Sequence, residues 1–398
     1  MRRRRAPSSK VARHSIAAFV CGLSLAACAS SPAADESPQA PRLPEALLPP
    51  PGVRVPAEWE PAVGAVVTYP FEIPLELVAA LAEEELLFVL VRSADQQALR
   101  EELRANDLPR RKIQSIASAH GLPYTRDFGP HQIELPGGEL AVLDQVFDGY
   151  PLYSWDADRA AADDEEGRFP ARGADDRVAE ACAAHFDLAR FVVPFSLTGG
   201  NFLVDGRGTA FFTDALVDEN LAWHSRDEFF ELLTRCTGAT NLVHLPNIEG
   251  VGIQHVDCWV KVLPGNRLLV QRAPADHPTH ARLEAAVLEL HEVRDTSGAP
   301  FEILRIDCPV VERDALGDEA PLAAYTNALI LNGCVHVPLY GVPGDEDALA
   351  TWRAALPEHD VKGYVYADWQ GFDALHCRTR AIFAGARREQ AQPEREPR

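Results

Sequence analysis

Apolar and polar residues alternate along this chain in short stretches that share one grammar: a strand, a tight glycine-containing turn, then a second strand. His131 to Leu135 passes through Pro136-Gly137-Gly138 into Glu139 to Leu143, and Asn201 to Val204 passes through Asp205-Gly206-Arg207-Gly208 into Thr209 to Thr213. Cys258 to Leu263 turns at Pro264-Gly265-Asn266 into Arg267 to Gln271, and Thr326 to Leu331 turns at Asn332-Gly333 into Cys334 to Pro338. Asn-Gly between β-rich runs is the strongest short hairpin signal, because both turn residues must adopt positive φ. Val63 to Tyr69 reads as a further strand. A helical period marks Pro74 to Glu85, Ala94 to Arg104, Arg226 to Cys236, Thr279 to His291 and Asp345 to Ala355.

The hairpins begin near residues 131, 201, 258 and 326, and the strand at 63 lies 68 residues before the first of them. This near-regular spacing predicts about five strand-rich units, each with a helix, set in a ring or an array. A plain α/β sheet protein with recurring hairpins is the alternative.

The first residues read differently. Arg2 to Arg5, Lys10 and Arg13 precede a short apolar run, Ile16 to Ala27, too short to span a bilayer as a helix. This is the layout of a signal peptide. Its end, Leu25-Ala26-Ala27-Cys28, resembles a bacterial lipobox, which implies lipidation of Cys28 and a protein exported and anchored to the cell envelope (periplasm or outer membrane). Removing residues 1–27 leaves 32 basic against 59 acidic residues, so the net charge moves from −21 to −27. Such a surface disfavours nucleic acid and suits cationic ligands. The expected domains are a signal peptide at 1–27, the lipidated Cys28 with an Ala/Ser/Pro-rich tether at 28–52, one catalytic α/β domain at 53–384, and a charged disordered tail at 385–398. Beyond the lipidated Cys28, six cysteines remain after processing, with no CxxC pair to suggest structural zinc. An exported protein could pair them, yet their spacing gives no framework.

Three islands concentrate residues able to do chemistry: Tyr124-Thr125-Arg126-Asp127-Phe128-Gly129-Pro130, His255-Val256-Asp257-Cys258, and Ala374-Leu375-His376-Cys377-Arg378-Thr379. A weaker fourth is Tyr325-Thr326-Asn327. Each has an ordinary reading. Asp127 could pair with Arg126 in a loop, His255 and Asp257 could share one side of a strand start as a hydrogen-bonded edge, and Cys377 could be a small core residue. His376 and Arg378 make an electropositive neighbourhood for Cys377 in sequence, which favours a thiolate. Together the set fits one reaction. Two carboxylates can grip the N–H groups of a guanidinium by charge-assisted bonds and place its carbon over a sulfur. A thiolate attacks that carbon, and an imidazole protonates the departing ammonia and then activates water. The bound cation itself favours the thiolate.

These islands, with Pro56-Ala57-Glu58-Trp59-Glu60-Pro61, Thr198-Gly199-Gly200-Asn201 and Val335-His336-Val337-Pro338, resemble the Porphyromonas-type peptidylarginine deiminase and agmatine deiminase family of the guanidino-group-modifying superfamily. The resemblance runs to about Phe383. It implies a five-bladed α/β-propeller (pentein) with pseudo-five-fold ββαβ-type repeats. It implies Cys377 as nucleophile, His255 as general acid/base, Asp127 and Asp257 as guanidinium clamps, Asn327 as an orienting residue and Tyr124 as a pocket wall. It requires no cofactor and no catalytic metal. The Thr-Gly-Gly-Asn and His-Val-Asp-Cys-Trp segments, the missing glycine run before His376-Cys377, and export favour peptidyl-arginine as substrate, with agmatine as the alternative. The stretch Phe147 to Asp156 carries no arginine to grip a peptide carboxylate, and Asp156, Asp158, Asp163 and Asp164 make this region acidic. An amidinotransferase and a non-catalytic arginine-binding lipoprotein are further readings.

Overall fold

The computed structural model describes residues 44–385 except 148, 151–171, 249–252, 312–320, 370 and 372. The expected signal peptide, Cys28, the acidic positions 156–164 and the tail beyond Gly385 lie outside the described residues. Leu47, within the expected tether, donates its backbone N–H to Val192 O at 2.8 Å, so the domain begins to make contacts a few residues before position 53.

Sixteen strands are described. They are β1 Ala62–Tyr69, β2 Leu86–Val91, β3 Ile113–Ala117, β4 His131–Glu134, β5 Leu140–Val146, β6 Ala189–Ser196, β7 Leu203–Val204, β8 Thr209–Thr213, β9 Asn241–Leu245, β10 Val260–Leu263, β11 Arg267–Arg272, β12 Glu302–Asp307, β13 Leu329–Leu331, β14 Cys334–Leu339, β15 Asp360–Val365 and β16 Arg380–Phe383. The described helices are α1 Leu75–Glu84, α2 Gln96–Ala105, the single turn α3 Thr125–Phe128, α4 Val178–Phe186, α5 Asp214–Asn220, α6 Arg226–Thr237, α7 His280–Glu292 and α8 Asp345–Ala355.

The fold is mixed α/β. Among the described residues the strands form five separate sheets, ordered β16-β1-β2-β3, β4-β5-β6, β7-β8-β9, β10-β11-β12 and β13-β14-β15. Each contains an antiparallel pair and a parallel pair. In four of them the antiparallel pair is one of the expected hairpins. In the remaining sheet it joins the first and last strands, with Ala62 opposite Phe383 and Val66 opposite Arg380. A parallel partner needs a crossover, and helices supply it: α1 and α2 lead to β2 and β3, α4 to β6, α5 and α6 to β9, α7 to β12, α8 to β15.

Local chemistry explains most boundaries. Asn332 and Gly333 have φ of 45° and 83°, as the tight turn between β13 and β14 demands. Ser225 and Glu228 form a capping box that starts α6. Trp259, Trp352 and Trp369 are fully buried, and the last two donate their indole N–H to Tyr325 O and Tyr364 O, both at 3.0 Å.

Two expectations need correction. The hairpins' first strands start later than their apolar pattern: β7 at Leu203 rather than Asn201, β10 at Val260 rather than Cys258, β13 at Leu329 rather than Thr326. The residues before them form turns, Gly199–Asn201 and Val256–Cys258 being 3₁₀ turns. His255 and Asp257 therefore do not share a strand face; the turn, not the pleat, aims them. The cause is visible in Asn201, whose side chain accepts from Thr213 N at 3.0 Å and Val256 N at 3.1 Å, holding two turns together at the strand ends.

Candidate active site

Four turns bring the expected residues together. Asp127 sits in α3, His255 and Asp257 flank Val256, Asn327 ends the turn before β13, and Cys377 precedes β16. All five side chains are buried.

Gly200 stands at their meeting point. A Cβ there would lie 2.8 Å from His255 Nδ1 and 3.0 Å from both Asp127 Oδ1 and Asp257 Oδ2, so only glycine leaves space between the groups. Its N–H donates to Asp127 Oδ1 at 2.8 Å. The other Asp127 oxygen accepts from the Tyr150 hydroxyl at 2.5 Å. His255 Nδ1 lies 3.6 Å from Asp127 Oδ1, and among the described residues neither of its ring nitrogens has a hydrogen-bond partner, although the residue is wholly buried. A buried imidazole left unbonded on both nitrogens is costly unless a ligand or reactant uses it.

Cys377 is fixed from several sides. Asn327 Oδ1 accepts from His376 N at 3.0 Å and Cys377 N at 3.3 Å, while its Nδ2 lies 3.3 Å from the sulfur. Cys377 O accepts from Arg126 N at 3.1 Å. The sulfur is 4.0 Å from Asp257 Oδ2. Arg378 leads away from the site: it binds Asp373 through two bonds at 2.9 and 2.5 Å, reaches Glu72 O and Asp368 O, and lies 5.3 Å from the Trp369 ring centre. The electropositive neighbourhood expected for Cys377 is therefore absent. Arg378 is neutralised by Asp373, and His376 is held between carboxylates. Burial, then the charges of Asp257, Asp373 and Asp127, push the Cys377 thiol well above its ordinary value.

His376 was expected only as a neighbouring charge. Its Nδ1 lies 2.7 Å from Asp257 Oδ2, and its Nε2 lies 2.5 Å from Glu58 Oε2, across 318 residues of sequence. Glu58 also accepts from Lys261 Nζ at 2.6 Å and Ile330 N at 2.8 Å, and Arg126 lies 3.5 Å away. The local Arg126–Asp127 pair is thus replaced by a long-range one. Burial pushes Glu58 up, but Lys261, His376 and Arg126 outweigh it and hold the carboxyl well below the usual range. Asp257 goes the same way: burial raises it, and the bond and charge of His376, with His255 and Arg126, bring it below its ordinary value. Asp127 goes the other way, since burial, aided by Asp257, outweighs His255, Tyr150 and Gly200.

Tyr124 packs edge-on to Tyr150, ring centres 6.0 Å apart, and Tyr150 lies 5.9 Å from the His255 ring, so aromatic surface lines one flank. Sequence reasoning singled out neither Glu58 nor Tyr150 for a role. Both lay inside stretches it quoted, and nothing local marks them; only their distant partners do. The six cysteines from 182 onward are free thiols. Among the described residues no group of three His, Cys, Asp or Glu is placed to hold a metal ion, and no helix is long and apolar enough to cross a membrane.

The model of the Porphyromonas-type peptidyl-arginine deiminase family matches residues 54–382. The chain belongs to that family. Family membership makes it a hydrolase acting on C–N bonds, of the deiminase type. It is similar to the agmatine deiminase of Pseudomonas putida, 26% identical over 350 residues that cover 78% of this chain and 89% of the relative. The agmatine deiminase of Pseudomonas aeruginosa is 27% identical over the same shares of the two chains. Among solved structures, the agmatine deiminase of Enterococcus faecalis superposes with a TM-score of 0.71 at 21% identity, covering 83% of this chain and 96% of the other. A structure from Porphyromonas gingivalis described as an arginine deiminase gives 0.69 at 21% identity, covering 83% and 98%. These superpositions show the shared mixed α/β fold.

Proposed function

We propose that this deiminase hydrolyses agmatine to N-carbamoylputrescine and ammonia. One observation carries the chemistry: two buried carboxylates and an imidazole, unbonded on both nitrogens among the described residues, meet around Gly200, and the Cys377 sulfur stands 4.0 Å from the Asp257 carboxylate. In this scheme Asp127 and Asp257 bind the N–H groups of the guanidinium and hold it flat. The Cys377 thiol gives its proton to His255, and the thiolate bonds to the guanidinium carbon. His255 returns that proton to one nitrogen, the C–N bond breaks and ammonia leaves, giving an S-alkylthiouronium. A water loses a proton to His255 and bonds to the same carbon; the C–S bond breaks, His255 passes that proton to the sulfur, the carbon-bound hydroxyl gives its own to solvent, and the ureido product leaves with the thiol restored. The substrate cation supplies what the free site lacks, a positive charge beside a thiol that burial and three carboxylates keep protonated.

The order of the two substrate readings changes from that expected. The curated relatives quoted above are agmatine deiminases matched along nearly nine-tenths of their own length, which supports agmatine over peptidyl-arginine. Arginine within peptides is the second reading, favoured by the family's description and the leader-like N-terminus. A ureido assay on agmatine, free arginine, and peptides with internal or C-terminal arginine tests the choice. Turnover of agmatine at least tenfold above every peptide is expected, and preferential turnover of a peptide overturns the agmatine reading.

Two further readings belong here. The five sheets, each pairing antiparallel on one side and parallel on the other, with the first strand paired to the last, support a closed five-bladed propeller. The basic and apolar start followed by Leu25-Ala26-Ala27-Cys28 supports export and lipidation at Cys28; loss of palmitate labelling and of envelope retention in Cys28→Ala is the expected result.

A further inference from the structure

A cavity of about 50 Å³ shares Glu58 with the catalytic cluster but includes neither Cys377, His255 nor Asp257 in its lining. Its polar wall is Glu58, Arg126, His131, Gln132, Lys261 and Arg380. The cavity and the catalytic cluster stand one residue apart along the chain. Arg126 and Gly199 line the cavity, while the next residues, Asp127 and Gly200, face the reacting groups.

The charges in this wall do not balance. Arg126, Lys261 and Arg380 are cations; Glu58 serves Lys261, His376, Ile330 N and, at 3.5 Å, Arg126, which leaves Arg380 with no carboxylate of its own among the described residues. Arg380 is 9% exposed, yet its described bonds run only to the carbonyls of Pro130 at 2.9 Å and Arg126 at 2.5 Å. Among the described residues no carboxylate lies within ion-pair distance of it. Among the described residues three buried polar atoms of the wall, Arg126 Nη2, His131 Nε2 and Gln132 Nε2, have no hydrogen-bond partner, although Arg126 Nη2 stands 3.5 Å from Glu58 Oε2. Their residues are 8%, 4% and 3% exposed. A buried cation with no carboxylate beside it and unbonded polar atoms are both costly, and one small anion near Arg380 would satisfy both. Burial and the neighbouring Arg126 also push Arg380 down to about 9, against the weaker pull of Asp127 and Glu58.

We propose that this cavity is a binding site for one halide-sized monovalent anion, held by Arg380, Arg126, His131 and Gln132. The volume admits it: a single water needs roughly 10–15 Å³, so about 50 Å³ holds one halide with water beside it. Arg126 links the site to catalysis: it donates its backbone N–H to Cys377 O at 3.1 Å and its Nε–H to His376 O at 3.3 Å. The anion braces Arg126, and Arg126 braces the loop that presents the nucleophile.

The test replaces chloride by bromide in crystals of the full chain and collects data at the bromine edge. The expected result is an anomalous peak in contact with the Arg126 and Arg380 guanidinium groups. In gluconate buffer of constant ionic strength, bromide should raise the melting temperature along a saturating curve, retained in Arg380→Lys and lost in Arg380→Gln. Absence of an anomalous peak in this cavity overturns the proposal, as does a saturating shift that survives Arg380→Gln. If Arg380→Gln does not fold, the wild-type map alone decides. The result is independent of which guanidino substrate the enzyme takes.

Discussion

The two halves of the catalytic cluster use the same group in opposite states of tension. Asp257 is tied by His376 into a buried chain that continues to Glu58, Lys261 and Arg126, and this company holds its carboxyl down. Among the described residues Asp127 has only neutral donors, Tyr150 and Gly200 N, within hydrogen-bonding distance, with His255 a little farther off, and burial holds its carboxyl up. One side is a finished ionic network; the other is a desolvated anion waiting for a cation. In the proposed guanidinium clamp, the protein would fix one arm and the substrate would complete the other.

The largest effect should come where both halves converge. Cys377→Ala is expected to lower turnover by about 10⁴-fold or more, as loss of a nucleophile does elsewhere; near-normal ureido formation in that variant would end the covalent scheme. Next, Asp257→Asn and Asp127→Asn should both lose most activity but differ in stability. The first breaks a buried pair, at a cost of about 3–5 kcal/mol and several degrees of melting temperature. The second removes a disfavoured charge, so its melting temperature at pH 7 should stay level or rise. Equal losses in the two variants would erase the contrast between the arms.

Tyr150→Phe removes one donor from the Asp127 carboxylate, and kcat/KM at neutral pH should fall about 10–100-fold. The pH profile carries the sign. In the proposed scheme Asp127 binds the cation in its ionised form, and its folded value lies above the ordinary 3.8. So kcat/KM should fall on acidification from above that ordinary range, and Tyr150→Phe should move the acid limb to still higher pH. A limb that moves downward, or stays in place, contradicts the assignment. The smallest effect is expected at Tyr124. In the proposed pocket-wall role the Tyr124 ring, not its hydroxyl, meets the cation, so Tyr124→Phe should leave kcat/KM within about threefold and Tyr124→Ala should cost about tenfold.

Much of this was legible in the chain. Hairpins announce themselves because a two-residue turn demands positive φ, and Asn332-Gly333 satisfies that demand by residue type alone. The strands that complete each sheet in parallel, β2, β3, β6, β9, β12 and β15, went unmarked, since a parallel partner follows a helix and has no turn signal of its own. Helices α4 and α5 were likewise not anticipated. At the site, the sequence supplied the reacting residue types, and the family resemblance assigned them roles.

Residue types and local turns by themselves determined the hairpins, the five principal helices and the set of groups able to handle a guanidinium. Tertiary structure alone decided their electrostatic states. Glu58 meets His376 across 318 residues, Arg378 turns away to Asp373, and Gly200 keeps open the space between Asp127, His255 and Asp257. Charge interactions depend on distance and on exclusion of water, and neither is written in the order of residues along a chain.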